Sequence, residues 1–101
     1  MSNYVLDEHG EPQLEPDIMK RGQWFETADW TVARTQVGDV VVSTVFLGMD
    51  HSFGAGPPLL FETMVFGGPL DEEQRRWHRR TEAEAGHKIV VRRVQEANAQ
   101  E

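Results

Sequence analysis

The sequence contains no cysteine. That excludes disulfides, iron–sulfur clusters and cysteine-ligated zinc, and it fits a reducing cytoplasm. It has no apolar run of about 18 residues, so no membrane span is expected. The opening stretch "MSNYVLDEHGEP" has neither a basic nor an apolar block, so it does not read as a signal peptide. Nucleophile elbow, P-loop, dinucleotide fingerprint, His-x-x-x-His and Asp-x-Asp are all missing, so no cofactor and no resident metal are expected. Basic residues are few as well, with 10 Lys and Arg against 17 Asp and Glu, for a net charge of −7. The imbalance is concentrated in residues 1–30, which hold seven acids and two bases. An acidic surface lacks the positive face that phosphate affinity needs, so nucleic acid is not an expected partner. It suits docking onto a basic protein.

A chain of 101 residues, 39% of them hydrophobic, fits one water-soluble domain spanning 1–101. Its core is modest, and a homo-oligomer would help bury its apolar faces. Residues 1–16 read as a short strand, a turn at "EHGEP" and an extended lead-in, because Pro12 and Pro16 oppose helix. Pro16 and Asp17 then sit where a helix start places them, with Ile18, Met19, Trp24 and Phe25 as an apolar stripe. "WTVARTQVGDVVVSTVFLG" reads as a hairpin turning at "VGD". In Val40 to Leu47 both alternating faces are mostly apolar, as in a central strand covered on both sides. Leu59 to Phe66 forms the next strand, ended by Gly67, Gly68 and Pro69. "DEEQRRWHRR" fits either an edge strand or a helical turn. Thr81 and Glu84 match a capping box for a C-terminal helix, with residues 98–101 as a frayed tail. The expected fold is α+β: an antiparallel meander of about four strands against a C-terminal helix, with a short N-terminal helix.

The candidate site is the connection "MDHSFGAGPP". It has about ten residues where a simple hairpin needs about two to five. Asp50, His51 and Phe53 lie in it, and Glu62 follows on the next strand. One reading makes it a shaped turn, with Asp50 capping through its side chain and Phe53 folded against the core. A second makes it a protein-contact surface. A third makes it a metal or acid–base site of Asp50, His51 and Glu62, with His87 as an optional fourth member, although consecutive Asp-His side chains diverge on a strand. His87 falls on the apolar stripe of the C-terminal helix, where it reads as a core histidine. Gly86 beside it costs about 1 kcal/mol in a helix, which points to close helix–sheet approach. In "RRWHRR", Trp77, Arg76 and Arg79 are the types that anchor protein interfaces, while the flanking acids suggest a salt-bridged face.

The run "VVVSTVFLGMDHSFGAGPPLLFETMVFGGPLDEE", with "TEAEAGHKIVV" after it, resembles a group of small uncharacterised proteins of bacteriophages, prophages and bacteria. Their shared string is V-S-T-V-F-L-G-x-D-H-x-F-G-x-G-P-P-x-L-F-E-T-M-x-F-G-G, with a later E-A-x-x-G-H in a helix. It is matched here at Val42 to Gly48, Asp50, His51, Phe53, Gly54, Gly56 to Pro58, Leu60 to Met64, Phe66 to Gly68 and, in the helix, Gly86 and His87. Arg75 to Arg80 departs from a more Tyr- and Ser-containing stretch of the group. The resemblance implies a setting, a phage or prophage accessory gene, and no particular chemistry. The leading expectation is a non-enzymatic cytoplasmic protein that binds a host or phage protein, with inhibition of a defence or regulatory machine as one outcome of that binding. The alternatives are a small metal-dependent or acid–base enzyme using Asp50, His51 and Glu62, and a minor structural or assembly component of a phage.

Overall fold

A computed structural model describes residues 2–50, 52 and 56–100. The chain begins with a small hairpin, β1 (Tyr4–Leu6) and β2 (Pro12–Leu14), followed by α1 (Ile18–Thr27). A four-stranded antiparallel sheet follows in the order β3 (Thr31–Val37), β4 (Val40–Phe46), β5 (Phe61–Phe66) and β6 (Gln74–Trp77). The helix α2 (Arg80–Ala99) closes the fold. The expected α+β meander with a C-terminal helix is the architecture observed.

Local chemistry explains these boundaries. Asp17 is the N-cap of α1, and its carboxylate accepts from the backbone N–H of Met19 at 2.9 Å. This satisfies a donor that the helix itself leaves orphaned. β3 turns into β4 through Gly38, whose φ of +59° suits glycine. Gly67 and Gly68 also lie in the left-handed region, at +94° and +69°, and end β5 where a side chain would be strained.

α2 lies on one face of the sheet. Strand alternation sends Val40, Val42, Thr44 and Phe46 of β4 toward it, together with Phe61, Thr63 and Val65 of β5. The core has two apolar ends. One joins Val40, Val42 and Val65 to Val90 and Val94 of α2. The other joins Phe46, Leu60 and Phe61 to Ala83, with Tyr4, Leu6, Trp24 and Phe25 packed against it. The hairpin and α1 thus cover the same face as α2.

Several sequence expectations change. The extended lead-in is half of a hairpin, in which Tyr4 pairs with Leu14 and Leu6 with Pro12. Proline is tolerated there because the small sheet has only two strands, each with a free edge. β4 is central, and among the described residues only one of its sides is covered, since its residues alternate between buried and half-buried. "QRRW" resolves as an edge strand. α2 begins one residue before Thr81. Glu82, rather than Glu84, accepts from the backbone N–H groups of Arg79 and His78, at 3.0 and 3.2 Å. The helix runs through Ala99, beyond the start of the expected frayed tail. Ile18 and Met19 leave the expected stripe and stand 78% and 72% exposed. Only Trp24 and Phe25 of α1 reach the core.

Candidate functional site

The tip begins as a pinned turn. Asp50 Oδ1 accepts from the Ser52 backbone N–H at 2.8 Å, the Ser52 hydroxyl at 2.7 Å and the Leu59 N–H at 3.0 Å. One carboxylate oxygen therefore ties the two ends of the connection together, as an Asx turn does. The N-terminal segment braces the same place. Tyr4 N–H donates to the Gly48 carbonyl at 2.8 Å, and Asn3 bridges to Met49. His51 and Phe53 lie outside the described residues.

Glu62 projects from the opposite face of the sheet to α2. Its neighbours Phe61 and Thr63 point into the core, so alternation turns it outward. There it accepts from Arg76 Nε at 3.0 Å across the β5–β6 pair. His87 is on the other side of the sheet, beneath α2, and only 4% exposed. The sheet therefore separates Glu62 from His87, and they share no site. Among the described residues, no three His, Asp or Glu side chains gather as a metal site.

His87 belongs to a buried polar chain between the two apolar ends of the core. Its Nδ1 lies 2.7 Å from Thr44 Oγ1 and its Nε2 2.9 Å from Thr35 Oγ1. Thr44 Oγ1 is 2.6 Å from Thr63 Oγ1, and Trp77 Nε1–H donates to Thr63 at 2.9 Å. In either neutral tautomer one ring nitrogen donates to a threonine hydroxyl and the other accepts from one, so no ring nitrogen is orphaned. The chain is legible in part as a core histidine. Its threonines come together only through sheet register, which pairs Thr44 with Thr63 and sets Thr35 opposite Val42, two residues along β3 from the Ala33–Thr44 pair.

Burial pushes the His87 pKa below its ordinary 6.5. No carboxylate stands among its hydrogen-bond partners to favour the charged ring. Between the depressed folded value and 6.5, the unfolded chain holds the proton and the folded chain does not. Stability therefore falls as pH drops through 6.5 and continues to fall until the folded value is reached. Urea unfolding at pH 7.5 and 5.5 is expected to show this loss in the native chain and little of it in His87→Gln. An equal loss in both would assign the dependence to other groups.

The remaining sequence candidates have structural partners. Trp77 is half-buried, with its indole against Gly86 of α2 and its N–H on Thr63. Arg76 is held by Glu62, and Arg79 stays exposed at the N-cap of α2. Arg93 and Arg75 both meet Glu73, so the expected salt-bridged face is present. A cleft of about 400 Å³ opens between the β1–β2 turn, Trp24, Asp29 and Arg80. Its polar groups bind its own walls. Asp7 Oδ1 accepts from the Glu11 and His9 N–H groups, and Arg80 donates to the Gly10 carbonyl at 3.3 Å. The Glu11 hydrogen bond is the largest influence holding the Asp7 carboxyl below its ordinary 3.8.

An exposed apolar segment runs from the end of β2 into α1, where the sequence reads Ile18 and Met19 only as part of an apolar stripe. Leu14 is 64% exposed, and Ile18 and Met19 follow within one turn of α1. Glu11, Glu15 and Asp17 are interspersed with them. No helix is long and apolar enough to cross a membrane among the described residues. No protein-family model, curated protein or solved structure matches the chain.

Proposed function

We propose that the chain is a non-enzymatic accessory protein of a phage or prophage, acting in the host cytoplasm. In this reading it docks on a basic surface of a host or phage protein and blocks a defence or regulatory machine. The observation that carries the proposal is the segment from Leu14 to Met19. Three large apolar side chains there are at least 64% exposed, and acids stand between them. A lone exposed apolar residue is ordinary, but three of them within six residues of chain, with acids interspersed, make this segment a candidate contact surface. The surrounding residues 1–30 carry a net −5, which selects a basic partner and speeds encounter with it. The N-terminal half of α1 projects beyond the core that holds Trp24 and Phe25.

In this reading the start of α1 is the contact surface, because the polar groups of Asp50, Trp77 and Arg76 are engaged within the fold. The test is affinity capture from host lysate with the native chain, Ile18→Asp/Met19→Asp and Asp50→Ala/His51→Ala/Phe53→Ala. The expected result is a basic protein retained by the native chain and the tip variant, released by the α1 variant and weakened by salt. Loss with the tip variant alone would move the contact to the tip. No partner above background would overturn the proposal.

A further inference from the structure

The sheet has a second face, and no described element lies over it. α2, α1 and the hairpin all pack on the side of Val42 and Phe46. The other face carries Val41, Val45, Met64 and Phe66, with Phe66 49% exposed. We infer that this open face is the interface of a homodimer, in which two copies of the chain stack sheet on sheet about a two-fold axis.

Three observations select a second copy as the occupant. The first is area. A compact monomer of 11.5 kDa exposes about 5,800 Å², whereas this chain exposes 6572 Å². The excess, counted over the whole surface, is roughly 800 Å², the size of one partner's share of a standard interface. The shape agrees, because the thin dimension is 20 Å, enough for one helix layer and one sheet. The Cα radius of gyration is 14.8 Å, against about 13 Å for a compact chain of this length.

The second is charge. Two molecules of net charge −7 repel, so they associate best where the acids are absent or neutralised. On the open face the acid is Glu62, already paired with Arg76, and Arg34 adds one positive charge. The unbalanced acids lie on the N-terminal hairpin and α1, packed on the other face.

The third is self-complementarity. A two-fold axis parallel to the strands, between β4 and β5, lays β4 of one copy over β5 of the other. Val41 pairs laterally with Phe66, and Ser43 with Met64. Across that axis each large β5 side chain meets the small β4 side chain of the same row, twice per dimer, as an isologous interface requires. Arg34 then faces the Gln74 row of the second copy. An in-plane axis perpendicular to the strands would instead set Arg34 against Arg34. Sheets stacked this way are about 10 Å apart, and their side chains interdigitate.

The test is light scattering on a sizing column from about 1 to 100 µM, the weak end of affinities for an interface of this size. Native chain, Phe66→Asp, Met64→Lys and, as control on the helix layer, Ile89→Asp are compared, with far-UV circular dichroism for each. Ile89 is 54% exposed, so its substitution leaves both the core and the open face intact. The expected result is twice 11.5 kDa for the native chain and Ile89→Asp. Phe66→Asp and Met64→Lys should be folded monomers, with dimer dissociation raised roughly thirtyfold or more, the scale of a hot-spot loss. A native chain that is monomeric throughout would overturn the inference. A dimer that survives both open-face substitutions would do the same. Neither outcome bears on the α1 contact, which is on the other layer.

Discussion

Phe46→Ala is expected to lower the stability of the fold by about 3–5 kcal/mol, the range for truncating a buried phenylalanine. Phe46 is wholly buried at the end of β4. Trp24 meets it edge-on at 5.8 Å, Phe25 stacks at 6.4 Å and Phe61 packs at 5.5 Å. α1 has no fully buried residue of its own and is only 10 residues long, too short to hold its shape without packing. Removing the Phe46 ring therefore leaves a cavity and unseats α1. A domain of this size has about 5–15 kcal/mol in total, so the variant should be close to the folding limit. Urea unfolding measures the loss, and hydrogen exchange should show α1 amides opening first. A loss under about 1 kcal/mol would mean that α1 is held elsewhere. Phe46→Leu, which keeps most of the volume, should cost clearly less.

Gly86→Ala is expected to destabilise the fold by about 1–3 kcal/mol, against the general rule. In a solvent-exposed helix the same change gains about 1 kcal/mol, because alanine loses less backbone entropy. Here an added methyl group would collide with the six-membered ring of the Trp77 indole. That indole is fixed by its N–H on Thr63, so it cannot move aside without breaking the buried polar chain. Gly22 in α1 is the internal control. Nothing stands within 4 Å of the position its Cβ would take, so Gly22→Ala should stabilise by about 0.5–1 kcal/mol. Thermal or urea unfolding of both variants compares the signs. Adding Trp77→Phe to Gly86→Ala should give a double mutant less destabilised than the two single losses combined. Additive losses would show that the two residues do not collide.

The legible parts of this fold are those where local pattern and packing agree. The β-branched run of β4, the alternation of β5 and the 3.6-residue spacing of α2 all have strong periods. Gly86 could be read as a close approach because glycine inside a helix needs a reason. His87 could be read as a core residue from its place on the apolar stripe. The illegible parts depend on distant contacts. Nothing local tells Pro12 to Leu14 to pair with Tyr4 to Leu6. Ile18 and Met19 have the hydrophobicity of a buried stripe, but the core ends at Trp24, so they stand in water. The outer face of β4 is apolar enough to be covered, and this chain supplies no described layer to cover it. Thr81-x-x-Glu84 competed with an overlapping arrangement in which Glu82 closes the helix start. For the tip, Asp50 as a turn cap was legible because Asx chemistry is local. The separation of Glu62 from His87 needed the topology of the sheet.

The central functional claim is that the acidic, apolar start of α1 meets a basic protein. It is tested most directly by zero-length carboxyl-to-amine cross-linking of the captured complex, mapped by mass spectrometry. The predicted result is links from Glu11, Glu15 or Asp17 to lysines of the partner, abolished by Ile18→Asp/Met19→Asp. Links confined to the acids of α2, or links unchanged by that substitution, would contradict it.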